Sequence, residues 1–228
     1  MSIHNGHRQR MRERFLKNGL STFEKHEVLE ILLYYCVPRV DTNELAHRLI
    51  DKFKTVGRVL RATPEELVSI EGIGESTATY LSLLNETIRY VGVERSMEME
   101  YLTTPEEYAN YLKELFVGMN NEAVYLLCLD AKMTVLGHYL ICEGTVVSAN
   151  IPTRTVISKA LSSNAVYAVL AHNHPGGLAI PSDEDEQATA YIDAMLQGVG
   201  VTLLDHIIVS DNDHISLKNK TFLRTRAR

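Results

Sequence analysis

The sequence predicts an α/β protein in two parts: an all-α domain over residues 1–101 and, over residues 102–228, an α/β sandwich with a mixed, largely antiparallel sheet. Three observations carry that expectation. Apolar residues recur at helical spacing up to about residue 100, and beyond it strand-length apolar runs alternate with helical stretches. The first connections between those runs are too short for crossover helices, so their strands must pair antiparallel. At 228 residues, 45% hydrophobic and 23% charged, the chain has a globular composition and room for one large domain or two small ones.

The first segment is cationic, with Arg8, Arg10, Arg12, Arg14 and Lys17 against Glu13, and reads first as the solvated face of a helix. Val28, Leu29, Ile31, Leu32 and Tyr35 share one side of a second helix, and Leu45, Leu49, Ile50 and Phe53 one side of a third that Asp41 can cap. Thr63-Pro64-Glu65-Glu66 is a helix start, because the Thr hydroxyl accepts from an orphan amide, Pro suits the first turn and Glu66 bonds back. Thr104-Pro105-Glu106-Glu107 repeats the device, but its surroundings do not, so these are two caps and not an internal repeat. The polar, acidic stretch Val91 to Tyr101 is the expected boundary.

After it the reading is a helix from Pro105 to Phe116, a strand from Ala123 to Leu129, a turn at Asp130-Ala131-Lys132 and a partner strand from Met133 to Ile141. A strand from Gly144 to Ser148, a helix from Arg154 to Leu161, a strand from Ala165 to Ala171, a helix from Asp183 to Gln197, and strands at Val201 to Val209 and His214 to Leu217 complete it.

Composition excludes several classes. Cys36, Cys128 and Cys142 are too few for a disulfide scaffold and none stands at Cys-x-x-Cys spacing. The longest apolar runs, Ile31 to Val37 and Ala165 to Ala171, fall far short of the roughly 18 residues that span a bilayer, so no membrane partner is expected. With no basic and apolar leader at the start, the expected location is cytoplasmic. The net charge of −6 is uneven: 14 Lys+Arg stand against 15 Asp+Glu before Tyr101, and 9 against 14 from there on.

The chemistry concentrates in His172-Asn173-His174-Pro175-Gly176-Gly177-Leu178-Ala179-Ile180-Pro181-Ser182-Asp183-Glu184-Asp185. At a strand end, residues two apart face the same way, so His172 and His174 can present both imidazoles to one point. A Gly/Pro loop turns the chain back, and a helix starting at Ser182 brings Asp185 towards them. Two imidazoles and a carboxylate make a three-ligand Zn²⁺ site whose fourth position is left for water, the catalytic arrangement. Ser182-x-x-Asp185 is also the spacing of a capping box, and the two readings are compatible.

His172, His174, Ser182 and Asp185 match every spacing of the JAMM (JAB1/MPN) metalloprotease signature, which the stretch resembles. More closely it resembles the RadC family, whose version reads His-Asn-His-Pro-Ser-Gly followed by a Pro-Ser pair. The likeness extends over nearly the whole chain, through Gly6-His7-Arg8, Arg12-Glu13-Arg14-Phe15-Leu16, Asp41-Thr42-Asn43, Leu45-Ala46-His47-Arg48-Leu49, Gly144-Thr145 and Leu204-Asp205-His206-Ile207-Ile208-Val209.

That resemblance implies a JAMM/MPN-like fold, a zinc metallopeptidase-type hydrolase of peptide or isopeptide bonds acting on a protein or peptide, and a Glu on the first strand as general base. Glu122 is the matching position, although its residue type alone reads as a strand entry; Ser182 is implied as the oxyanion stabiliser. Gly176 and Thr155 depart from the family's Ser and Glu. Asp205 and His206, among apolar neighbours, read as supporting residues and not as ligands, and His138 and His214 as strand residues without a catalytic role.

In the first half, Ile70-Glu71-Gly72-Ile73-Gly74-Glu75-Ser76-Thr77-Ala78 resembles the hairpin of a helix-hairpin-helix module, whose glycines let backbone amides approach a phosphate. The alternative function is therefore a DNA repair or recombination accessory, or a metallonuclease, with Arg8 to Lys17 adding electrostatic contacts. Glu71 and Glu75 oppose a phosphate, so packing against protein is an equal reading of the hairpin.

Overall fold

The computed structural model describes residues 3–38, 41–144, 151–210, 213–218 and 221–223. The chain divides into two compact units, Met1–Ile88 and Arg89–Arg228. Among the described residues no helix is long and apolar enough to cross a membrane.

The first unit is helical: α1 (Ile3–Asn18), α2 (Lys25–Leu33), α3 (Thr42–Phe53), α4 (Val56–Arg61), α5 (Pro64–Val68) and the start of α6 (Glu75–Met97). Local chemistry sets the helix starts. Asp41 accepts from the Asn43 amide at 2.9 Å, Thr55 from Arg58 at 3.1 Å, and Thr63 and Glu66 form the reciprocal capping box. Leu29 and Leu33 of α2, Leu45 and Leu49 of α3, Leu67 of α5 and Leu81 of α6 make the buried core. Met11 of α1 packs with Ile31 and Tyr34.

Two of the α1 cations belong to that packing. Arg14 pairs with Glu27 at 2.6 Å and lies over the Phe23 ring, while Arg8 lies over Tyr34 and donates to the Val37 carbonyl at 3.1 Å. Arg10, Arg12 and Lys17 are exposed. The solvated-face reading therefore holds for three of the five.

The second unit contains α7 (Pro105–Phe116), β1 (Glu122–Leu129), β2 (Val135–Gly144), α8 (Thr153–Ser162), β3 (Tyr167–His174), α9 (Asp183–Gln197), β4 (Thr202–Ser210), β5 (His214–Ser216) and β6 (Thr221–Leu223). The strands form one sheet in the order β2-β1-β3-β4-β5-β6. Its pairings are antiparallel apart from β3 with β4, which are parallel and joined through α9 as crossover.

Both faces of the sheet are covered. Ala123, Leu127, Leu129, Val169, Ala171, Ile207 and Val209 meet Tyr108, Leu112, Leu115 and Phe116 of α7. On the opposite face Val124, Leu126, Cys128, Ala168, Leu170 and Leu203 meet Val156 and Ala160 of α8 and Ile192 and Leu196 of α9. The parallel ladder slips by one residue, Ala168 facing Leu203 and Val169 facing Asp205, which leaves Leu204 as a bulge.

The expected α/β sandwich with a mixed, largely antiparallel sheet is the observed one. The expected third-strand end is corrected: β3 does not stop at Ala171 but runs to His174, because β4 continues to pair with it as far as Ser210. β2 likewise runs past Ile141 to Gly144, and the rest of the Gly144 to Ser148 strand lies outside the described residues. The stretch read as a boundary, Val91 to Tyr101, is helical through Met97.

A buried carboxylate ties three helices of the first unit together. Glu30, 2% exposed, accepts from the Tyr34 hydroxyl at 2.7 Å and from the Asn43 side-chain amide at 2.9 Å, and lies 2.9 Å from His7 Nε2. Glu30→Ala leaves the Tyr34 and Asn43 donors unsatisfied in the interior, an expected loss of about 2–3 kcal/mol. Urea unfolding followed by helical circular dichroism reads this as a lowered midpoint; an unchanged midpoint contradicts it.

Candidate metal centre

Pairing, not propensity, sets the position of the two histidines. Val124 of β1 stands opposite His172, and Ile208 and Ser210 of β4 stand opposite His172 and His174, so both histidines are held in a ladder and share the sheet face that α9 covers. The chain then turns at Gly176, whose φ of +69° is unstrained for glycine, with the Gly177 amide donating to the His174 carbonyl at 3.1 Å. Gly176 in place of the family's Ser thus suits a left-handed position.

Helix α9 starts with a reciprocal cap. The Ser182 hydroxyl oxygen accepts from the Asp185 amide at 3.1 Å, and Asp185 Oδ2 accepts from the Ser182 amide at 2.8 Å and from its hydroxyl at 2.7 Å. The four acids Asp183, Glu184, Asp185 and Glu186 fill the first turn, where the helix dipole favours negative charge. Capping uses one oxygen of Asp185. The other, Oδ1, is buried without a hydrogen-bond donor and lies 3.1 Å from His172 Nε2.

His172, His174 and Asp185 offer ligand atoms that lie within 4.8 Å of one another. The two Nε2 atoms are 3.0 Å apart. His174 Nδ1 is 3.0 Å from the Leu178 carbonyl, which can only accept, so a neutral His174 carries its proton there and Nε2 keeps its lone pair. His172 is 2% exposed, and burial pushes its imidazole down to about 4 against the pull of Asp185. Behind it, His206 is fully buried and held well below the ordinary imidazole range, first by burial and then by the two histidines.

Glu122 opens β1. The β1–β3 ladder begins at Val124 and His172, and Glu122, two residues before Val124 on the strand, is on the β1 face that carries Val124 and so on the sheet face that carries His172. Asn173, between the histidines, brackets it: its side-chain oxygen accepts from the Ala123 amide at 2.7 Å and its side-chain amide donates to the Asn121 carbonyl at 3.1 Å. Asn173 is buried, and its place inside the His-x-His pair was the one sequence signal for this clamp.

Thr189 also escaped the sequence reading, though its place four residues after Asp185 sets both on one helix face. Asp205 and His206 are buried as expected; Asp205 accepts from Ser216 at 2.5 Å and from the Lys218 amide at 3.2 Å, and burial raises its carboxyl. His138 lies on β2, 2.7 Å from the Tyr111 hydroxyl, and His214 on β5.

Comparison with known proteins follows this division of the chain. Residues 102–222 match the RadC-like JAB domain, and residues 4–79 match the UPF0758 N-terminal family. A UPF0758 protein of Fusobacterium nucleatum is 32% identical over 218 residues, covering 92% of this chain and 94% of that protein. One from Ruegeria pomeroyi is 31% identical over 217 residues (95% and 97%), and one from Aliivibrio fischeri is 31% identical over 215 residues (94% and 96%). With more than half of its length matched and the matched part carrying the His172, His174 and Asp185 cluster, the chain belongs to the RadC-like JAB domain family.

Proposed function

We propose that this protein is a zinc-dependent hydrolase of peptide or isopeptide bonds, with His172, His174 and Asp185 as metal ligands. The observation that carries the reading is the orphaned Asp185 Oδ1, buried 3.1 Å from His172 Nε2, which in turn lies 3.0 Å from His174 Nε2. A buried carboxylate oxygen without a donor is costly unless a cation faces it. The donor set is the kind zinc takes, and ligands about 2.0 Å from a tetrahedral ion stand about 3.3 Å apart, close to the 3.1 and 3.0 Å that separate His172 Nε2 from Asp185 Oδ1 and His174 Nε2, all the ligand atoms lying within 4.8 Å of one another. Zinc bound there supplies Lewis acidity and lowers the pKa of water to near neutrality.

The chain's own residues do the rest. Glu122 takes a proton from the attacking water as the carbon–oxygen bond forms, and gives it to the departing amine as the carbon–nitrogen bond breaks. Asn173 fixes the backbone on both sides of Glu122. The Ser182 hydroxyl, which donates to Asp185 Oδ2 at 2.7 Å, turns from that acceptor to the carbonyl oxygen as charge develops on it, while the Ser182 amide keeps its hold on Asp185. The substrate is a protein or peptide, and the setting is cytoplasmic.

DNA binding through the first unit, and with it a repair role or phosphodiester cleavage, is the second reading. The turn between α5 and α6 does contain a left-handed Gly72, φ +94°. Its Glu71 carbonyl, however, accepts from Arg48 at 2.9 Å, and Glu44 pairs with the same guanidinium. That arrangement favours protein over phosphate.

Protein purified without added metal is expected to carry about one zinc per chain by elemental analysis, and His172→Ala to carry none. Glu122→Gln keeps the zinc and lowers cleavage about 10²–10⁴-fold. Cleavage of nucleic acid alone in a screen of peptide, isopeptide and phosphodiester substrates contradicts the peptidase assignment, as does a zinc-free wild type.

A second expectation concerns pH. In metal-free folded protein burial holds His172 at about 4 and His206 well below the ordinary imidazole range, whereas unfolded imidazoles take up protons near 6.5. Because the folded values are depressed, this contribution to stability is complete above about 6.5 and is lost as pH falls from there towards 4. The thermal midpoint of the metal-free protein should fall across that window; a flat profile contradicts the assignment.

A further inference from the structure

The hydrogen bonds behind His172 decide where its proton sits. Thr189 Oγ1 lies 2.6 Å from the Asp185 carbonyl oxygen and 2.5 Å from His206 Nδ1, and His206 Nε2 lies 2.8 Å from His172 Nδ1. Thr189, His206, His172 and Asp185 are all buried. A carbonyl oxygen only accepts and a hydroxyl has one hydrogen, so Thr189 donates to Asp185 and accepts from the Nδ1–H of His206. His206 therefore accepts at Nε2. His172 donates to it from Nδ1, which leaves His172 Nε2 with its lone pair, facing Asp185 Oδ1 and His174 Nε2. No other assignment makes all three contacts hydrogen bonds.

The fold brings this chain together from two directions. Thr189 follows Asp185 by one helical turn, so the backbone carbonyl of Asp185 starts a relay that ends at the ring facing the Asp185 carboxylate. His206 arrives through the bulge at Leu204. Were Leu204 paired in an unbroken ladder, His206 would stand opposite Ala171 and face α7; with Leu204 bulged, His206 pairs with Leu170 and faces α9.

We propose that His206 and Thr189 are positioning residues that together hold the proton of His172 on Nδ1 and so keep Nε2 open to a cation. The consequence for metal rests on the zinc reading above; the proton position does not. When Thr189 loses its hydroxyl, His206 Nδ1 loses its acceptor and the ring gains by moving its proton to Nε2. His172 must then accept at Nδ1, and its own proton moves to Nε2, where a cation has to displace it.

The test joins two measurements on the full chain. Nitrogen-15 NMR of histidine-labelled, metal-free protein reads the tautomer of His172, assigned by loss of its signals in His172→Gln. Competition with a chromophoric chelator reads the affinity for zinc. The wild type should show Nδ1–H, Thr189→Val should move the proton to Nε2 and weaken zinc binding about 10–100-fold, and Thr189→Ser should restore both. Thr189→Ala repeats the measurement if the Val variant does not fold.

Nε2–H in the wild type overturns the proposal. So does a tautomer and an affinity left unchanged in both hydroxyl-less variants. A wild type that shows Nδ1–H, loses it in Thr189→Val and takes up no zinc upholds the relay and brings down the hydrolase reading instead.

Discussion

Parallel pairing of β3 with β4 is the constraint on which the second unit depends. Two parallel strands cannot be joined by a turn, so the chain must leave the sheet at the carboxyl end of β3 and travel back along one face before β4 can begin. Helix α9 is that return path, and its first turn has to stand just beyond His174. The carboxyl ends of parallel strands in open α/β sheets are where such crossovers leave a crevice, and this chain has put its two histidines and its helix cap there. The antiparallel neighbour β1 begins at the same end of the sheet, with Glu122 as its first residue.

Asp185 resolves a competition that the sequence leaves open. Ser182 and Asp185 have the spacing of a capping box and of a ligand motif, and both demands fall on one carboxylate. The structure divides them between its oxygens: Oδ2 takes two hydrogen bonds from Ser182, and Oδ1 turns inward. A carboxylate anchored at one oxygen has little rotational freedom left at the other, so the cap fixes the oxygen that faces His172. Asp suits this better than Glu, whose extra methylene would carry the free oxygen past the imidazoles. The cap residue is in that sense part of the site even before Ser182 is given any role in chemistry.

What the sequence made legible was whatever is local. The capping boxes at Thr63 and Thr104, the Asp41 cap and both ends of α9 follow from contacts within four residues, and the structure contains each of them. The His172 and His174 pair with Asp185 was legible for the same reason, as a spacing. What escaped depends on partners distant in sequence. β3 reaches His174 because β4 pairs with it; Asn173 clamps backbone some 50 residues away; Thr189 meets His206 across 17. The bulge at Leu204 left no trace at all, since Leu203-Leu204-Asp205-His206-Ile207-Ile208-Val209 has no alternation of polar and apolar residues that would fix either register. Arg8 and Arg14 likewise looked like solvent-facing cations until Phe23 and Tyr34 were folded beneath them.

The buried groups around His172 form a one-way hydrogen-bond chain. Every donor in it points towards the helix backbone and away from the cluster, so none of its protons is left between Asp185 Oδ1 and the two imidazoles. Such an arrangement is poor as a structural network in its own right, because lone pairs at close range repel and the low dielectric leaves them unscreened. If stability alone had shaped the site, one apolar side chain in place of Asp185, or a hydroxyl donor facing it, would cost less. A cluster that keeps its electron pairs inward gains when a cation enters, and under the zinc proposal the folding of the second unit would be coupled to metal uptake. The site is accordingly built from regular elements, two strands and a helix start: groups whose lone pairs repel one another hold their geometry only if the ladder and the cap around them cannot relax.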